Sequence, residues 1–127
     1  MVHYAILFLC RLQQDSAGGI TEAVRRCLAF QTQRHFHAPI EVETRTLDQV
    51  REALELPVQR IMLDNMSLAE LSAAVSVVQG RIPLEASGNI TLASVSQVAA
   101  TGVDYISIGA LTHSAPAFDV SLLFESA

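Results

Sequence analysis

The chain of 127 residues is 50% hydrophobic and carries a net charge of −5 with eight Lys+Arg, enough apolar material for one domain with a buried core, which excludes a disordered chain. No basic field is available to hold a nucleic-acid backbone or an anionic membrane surface. The longest apolar run, Ala5 to Cys10, is far short of a membrane span and has no Lys or Arg before it as a secretory signal would, so a soluble, cytoplasmic protein is expected.

In chain order, His3 to Leu12 reads as a buried strand, bounded by the polar stretch Gln13-Gln14-Asp15-Ser16 and by Gly18-Gly19. Thr21 then starts a helix with Glu22 in its first turn and Ala23, Val24, Cys27 and Leu28 on one side. Cys10 and Cys27 form no metal or redox spacing and are expected as buried free thiols. Gln31 to Pro39 is a polar connection, in which His35 and His37 lack a third ligand and read as solvated. Pro39 to Thr44 is a short strand. Thr46 with Gln49 fits a capping box opening a helix through Leu47, Val50 and Leu54, which Pro57 closes. Gln59 to Leu63 is a strand ending in Asp64-Asn65, and Ser67 with Glu70 is a second capping box ahead of Leu68, Leu71, Val75 and Val78, a helix ended by Gly80.

Arg81 to Ala86 is a further strand. It runs into Ser87-Gly88-Asn89, with Thr91 placed to cap a helix through Leu92, Val95, Val98 and Ala99. Free backbone N–H groups and a positive dipole end would then lie beside a glycine, where a phosphate can approach. After Gly102 come the strand Asp104 to Ile108, the turn Gly109-Ala110-Leu111-Thr112, and a tail from Pro116 able to form a short helix through Phe118, Leu122 and Leu123.

Strands alternating with amphipathic helices imply βαβ units and a mainly parallel sheet. The spacing is regular: 21 residues separate Glu43 from Asp64, 23 separate Asp64 from Ser87, and 22 separate Ser87 from Gly109. Each of these residues ends a strand, on the face where parallel α/β sheets and barrels place their active sites. Two carboxylates and two glycine-containing turns would therefore meet one pocket. Such a set suits a sugar phosphate with a divalent cation, the turns holding phosphate and the carboxylates holding Mg²⁺, accepting ribose hydroxyls or stabilising a cationic sugar. The plainer roles are that Asp64 caps the next helix, that Glu41 faces solvent, and that Glu43 pairs with a Lys or Arg.

Glu41-Val42-Glu43, Leu63-Asp64-Asn65, Glu85 to Thr91, Ser107 to Thr112 and Ala117-Phe118-Asp119 resemble the quinolinate phosphoribosyltransferases, or carboxylating nicotinate-nucleotide pyrophosphorylases, from about Ala17 to Phe124. The resemblance implies a partial (β/α) barrel of about five parallel strands alternating with helices, corresponding to that family's C-terminal domain. It also implies the joining of quinolinate to phosphoribosyl pyrophosphate, with Mg²⁺, to give nicotinate mononucleotide, pyrophosphate and carbon dioxide in NAD biosynthesis. Glu43 and Asp64 would face the ribose and the metal-bound pyrophosphate. Ser87, Gly88 and Asn89, with Gly109, Ala110 and Leu111, would hold phosphate, and His113 would lie beside the site without acting as a base.

The likeness is incomplete. Family members are longer, and the part without a counterpart here carries the Arg, Lys and His residues that grip quinolinate. The family also has Lys-Asp-Asn-His where this chain has Cys10, Arg11, Leu12 and Gln13, so the domain reads as truncated over 1–127 with a divergent start at 1–16. Five strands cannot close an eight-stranded barrel, leaving two exposed edges and an apolar interior face with no cover, which should seek another copy or a separate N-terminal half. The expectation is a phosphoribosyl-pyrophosphate-binding portion of the transferase with little or no turnover alone. The alternatives are a non-catalytic remnant or assembly module, and a molybdenum-transport-associated homologue with a different acceptor.

Overall fold

The computed structural model describes residues 6–109. Ala110, Leu111, His113 and the expected helix after Pro116 lie outside the described residues. The elements run β1 (Leu7–Leu9), α1 (Arg11–Ala17), α2 (Ile20–Arg34), β2 (Ile40–Thr44), α3 (Leu47–Leu54), β3 (Arg60–Asp64), α4 (Leu68–Val78), β4 (Leu84–Ser87), α5 (Val95–Ala100) and β5 (Tyr105–Ile106). All five strands are parallel and lie in sequence order, β1-β2-β3-β4-β5.

Sequence order has a geometric consequence. Each crossover takes the same right-handed path to the next strand, so the connecting helices collect on one face of the sheet. The period of two then divides every strand. Ile40, Val42 and Thr44 of β2, Ile61 and Leu63 of β3, and Leu84 and Ala86 of β4 point to that face and are at most 2% exposed. They pack with Val24 of α2, Val50 and Ala53 of α3, Leu71, Ala74 and Val78 of α4, and Val98 of α5 as one core. The alternate residues, among them Glu41, Glu43, Arg60, Met62, Asp64 and Glu85, lie on the opposite face, which is therefore largely charged and ion-paired rather than apolar as expected. This is the layout of part of a (β/α) barrel, whose interior would be that second face.

Capping chemistry fixes where the helices begin. Thr46 Oγ1 accepts from the Gln49 backbone N–H, and Gln49 reaches back to the Arg45 N–H at 2.7 Å. Ser67 and Glu70 form the full reciprocal box that opens α4. Helix α4 closes one residue before Gly80, with Gln79 in the left-handed conformation.

Three expectations change. The polar stretch after β1 is a helix, α1, because Gln14 is 4% exposed and its amide donates to the carbonyls of Leu9 and Glu43 at 2.7 and 2.9 Å. Tertiary hydrogen bonds supply what apolar periodicity does not. Helix α2 runs on to Arg34, and Gln31, read as the start of a loop, is buried while exchanging two hydrogen bonds with Ala38. The helix expected from Thr91 starts only at Val95, after a turn in which Thr91 O accepts from Ser94 N and Val95 N, and Leu92 is 82% exposed. Both cysteines are free but only half-buried.

Candidate functional site

The C-terminal ends of β2, β3 and β4 carry the residues singled out by the regular spacing. Glu43 and Asp64 stand on neighbouring strands with side chains 12% and 14% exposed, and a single guanidinium joins them. Arg45 Nη2 lies 2.6 Å from Asp64 Oδ2 and 3.2 Å from Glu43 Oε1. Two carboxylates this close repel unless a cation sits between them, and in the described structure Arg45 is that cation. Glu43 also accepts from the Arg11 backbone N–H at 3.3 Å through its other oxygen. The plain role for Glu43, an ion pair with an Arg, is therefore filled. Asp64 does not cap α4, since Ser67 does so, and its Oδ1 accepts from the Asn65 side-chain amide at 3.0 Å.

Next to Asp64, the turn after β4 is built around Asn65. Its backbone N–H donates to Ser87 O at 2.9 Å and its Oδ1 accepts from Asn89 Nδ2 at 2.9 Å. Asn65 and Asn89 both have positive φ, 55° and 52°, which asparagine tolerates better than most residues. Gly88 has φ 92°, and a Cβ there would drive into the Asn65 side chain and come within 2.9 Å of its backbone nitrogen. The glycine is needed first for the approach of Asn65. Ser87, Gly88 and Asn89 line an opening of about 450 Å³ with Ile90, Thr91, Ser107 and Gly109. The two turns expected to face one pocket are thus brought together as far as Gly109. The helix expected to open at Thr91 starts later, since α5 has six residues and begins at Val95 beyond the turn, and the Thr91 N–H is taken by Ser94 Oγ at 3.0 Å.

One layer deeper on the same face is a cluster that reading for strand ends did not single out. Arg60 Nη1 lies 2.9 Å from Glu85 Oε2 and 3.7 Å from Glu41 Oε2, with its guanidinium 4.4 Å over the Tyr105 ring. Ser107 Oγ donates a short hydrogen bond to Glu85 Oε1. Glu41 is not solvent-facing but 5% exposed, and its Oε1 has no partner among the described residues. Burial, and then the nearby charge of Glu85, push its carboxyl up to about 7 against the pull of Arg60. The alternation of Glu41 and Glu43 with Ile40, Val42 and Thr44 was the available signal, since it places both acids on one face. Arg45 left no such signal, because the direction of a side chain just past a strand end depends on the neighbouring strand.

Among the described residues no group of three His, Cys, Asp or Glu side chains could hold a metal. His35 and His37 are exposed, as expected. Nor is any described helix long and apolar enough to cross a membrane.

Sequential parallel strands, with acids and glycine turns at their C-terminal ends, define a protein of the (β/α)-barrel class with its candidate site at the barrel mouth. Within that class the chain belongs to the quinolinate phosphoribosyltransferase family: the sequence profile described as "Quinolinate phosphoribosyl transferase, C-terminal domain" matches residues 9–123. It is 42% identical to the mitochondrial quinolinate phosphoribosyltransferase [decarboxylating] 2 of Nicotiana glauca, over 88% of this chain and 36% of that protein. It is 41% identical to the probable carboxylating nicotinate-nucleotide pyrophosphorylase of Synechocystis, over 85% of this chain and 37% of that protein. Among solved structures, the nicotinate-nucleotide pyrophosphorylase of Ehrlichia chaffeensis superposes with a TM-score of 0.77 at 36% identity, over 90% of this chain and 39% of that one. The chain thus spans a little over a third of the length of these relatives.

Proposed function

We propose that the chain supplies the phosphoribosyl-pyrophosphate side of a quinolinate phosphoribosyltransferase. The observation that carries this reading is the pairing of Glu43 and Asp64 at adjacent strand ends beside the Ser87-Gly88-Asn89 turn. In the reaction, the quinolinate nitrogen attacks C1 of the ribose as the bond from C1 to pyrophosphate breaks, and the 2-carboxylate of the ring then leaves as carbon dioxide, a proton from solvent taking the electron pair left on ring C2. Positive charge grows on the sugar along that path, and Glu43 and Asp64 would stabilise it from one side. Ser87, Gly88 and Asn89, with Gly109, Ala110 and Leu111, would hold the phosphates.

The donor set also fits Mg²⁺, which takes one or two carboxylates and completes its shell with substrate phosphates and water. When bound, Mg²⁺ would neutralise charge on the departing pyrophosphate. Glu43 and Asp64 are the residues that would hold it, directly or through water. A second copy, or a separate polypeptide, belongs to this reading because β1 and β5 each pair on one side only among the described residues.

The test is a titration of the purified chain with phosphoribosyl pyrophosphate and Mg²⁺, followed by a nicotinate-mononucleotide release assay with quinolinate at several protein concentrations. Glu43→Ala and Asp64→Ala should each weaken binding roughly tenfold or more, the value of a charged contact. Binding as tight as in the parent would remove both from the site. Turnover rising faster than linearly with concentration would show that copies assemble a working centre. No turnover in a folded sample that binds the substrate would favour a non-catalytic role, for which the one-sided pairing of β1 and β5 among the described residues is the supporting observation.

A further inference from the structure

We infer that Arg45 is a resident counter-ion of the Glu43–Asp64 pair, one that must leave the carboxylates before a divalent cation can use them and that then turns to the substrate's phosphate oxygens. The inference rests on the reading of Glu43 and Asp64 as the cation-holding pair. It concerns a residue whose role in the site follows from this chain's own geometry.

Three features of the site support this role. The first is occupancy: one guanidinium nitrogen bridges both acids, at 2.6 and 3.2 Å, so one oxygen of each is engaged by a positive charge, and the other accepts from a neutral amide N–H. An arginine stays protonated at any working pH, so it can vacate the pair only by moving. The second is freedom to move. Its backbone is pinned between β2 and α3, with the N–H held by Gln49 Oε1 at 2.7 Å, while its side chain is 44% exposed. A side chain on a fixed root swings without disturbing the strand. The third is a place to go. Arg45 lines an opening of about 250 Å³ with Arg11, Gln14, Asp15, Thr46, Gln49 and Glu43 itself, so the guanidinium has room to leave Asp64 into a space whose wall Glu43 shares. A diphosphate presents paired oxygens that match the planar fork of arginine at least as well as the two acids do.

Binding of cation and anion is coupled by this exchange. A divalent cation alone must displace Arg45 into water, whereas cation and diphosphate together replace both partners at once. The pair should therefore bind the metal weakly by itself and more tightly with a diphosphate present.

The experiment is binding of Mn²⁺, read as loss of the free-ion electron paramagnetic resonance signal, to the parent chain and to Arg45→Gln, Arg45→Lys and Arg45→Gln/Asp64→Asn, with and without inorganic pyrophosphate. Arg45→Gln should bind Mn²⁺ alone at least roughly fivefold more tightly than the parent, the scale of a partly exposed ion pair. It should also lose most of the enhancement that pyrophosphate gives. Arg45→Lys, which keeps the charge without the bridging fork, should lie between the two, and Asp64→Asn should abolish the gain. Equal Mn²⁺ affinity in parent and Arg45→Gln would overturn the inference, as would a gain that survives Asp64→Asn. Failure of phosphoribosyl pyrophosphate to bind any variant, with the Mn²⁺ gain intact, would overturn the proposed function and leave the counter-ion role standing.

Discussion

At the scale of the residue, the site depends on atoms that are missing as much as on those present. Gly88 was read as a place where phosphate could approach, and in the structure the lack of a Cβ also admits Asn65, whose backbone N–H donates to Ser87 O and whose side-chain Oδ1 accepts from Asn89. Gly88→Ala should therefore cost about 2 kcal/mol or more, from the left-handed backbone alone, and displace the turn as well. Asn65→Gly keeps the positive φ while removing the side chain, so Gly88→Ala should cost less in that background. Urea denaturation of the four species tests this, and equal penalties in both backgrounds would mean that Asn65 is not what the glycine serves. Glu43, Asp64 and Ser87 were legible because strand ends recur at a nearly constant spacing. Arg45 was not, since what it touches is set by a residue on the next strand, 19 positions away.

At the scale of the element, the helices that were read correctly are those whose boundaries are written in side-chain hydrogen bonds between near neighbours. Thr46 opens α3 and Ser67 opens α4, and both pairings are local enough to be seen in a string of letters. Helix α1 was missed because what holds it is distant: Gln14 ties it to the ends of β1 and β2. The late start of α5 has the opposite origin, since Ser94 takes over the Thr91 N–H and makes a turn of the residues that a periodic pattern assigns to a helix. Ser67→Ala should lower stability by about 1 kcal/mol, the usual value of an N-cap hydroxyl. Because Glu70 then loses both Ser67 Oγ contacts, Glu70→Ala added to Ser67→Ala should cost less than it does in the parent. Thermal melts of the single and double variants read the difference, and strict additivity would mean that the reciprocal box contributes nothing beyond the cap.

At the scale of the whole molecule, the two faces of the sheet obey different physics. The helix side is an apolar core that any α/β chain would build, and sequence periodicity suffices to place it. The other face sets Arg60 between Glu41 and Glu85, under the ring of Tyr105, a polar cluster that pays for its burial only if its charges stay matched. They are not fully matched, because two carboxylates share one guanidinium and Glu41 Oε1 is left without a partner among the described residues. The sign of the pH effect follows. A carboxyl whose folded value is raised to about 7 from 4.5 binds its proton more tightly folded than unfolded, so stability is greatest below about pH 4.5 as far as this group is concerned. It is lost as the pH rises through about 7, by on the order of 1 to 3 kcal/mol. Glu41→Gln keeps the shape and removes the charge, and should be the more stable chain at pH 8 while differing little at pH 5. Denaturant midpoints at the two pH values measure this directly. If the parent and Glu41→Gln keep the same difference at both, Glu41 is ionised throughout and Arg60 suffices to pair it.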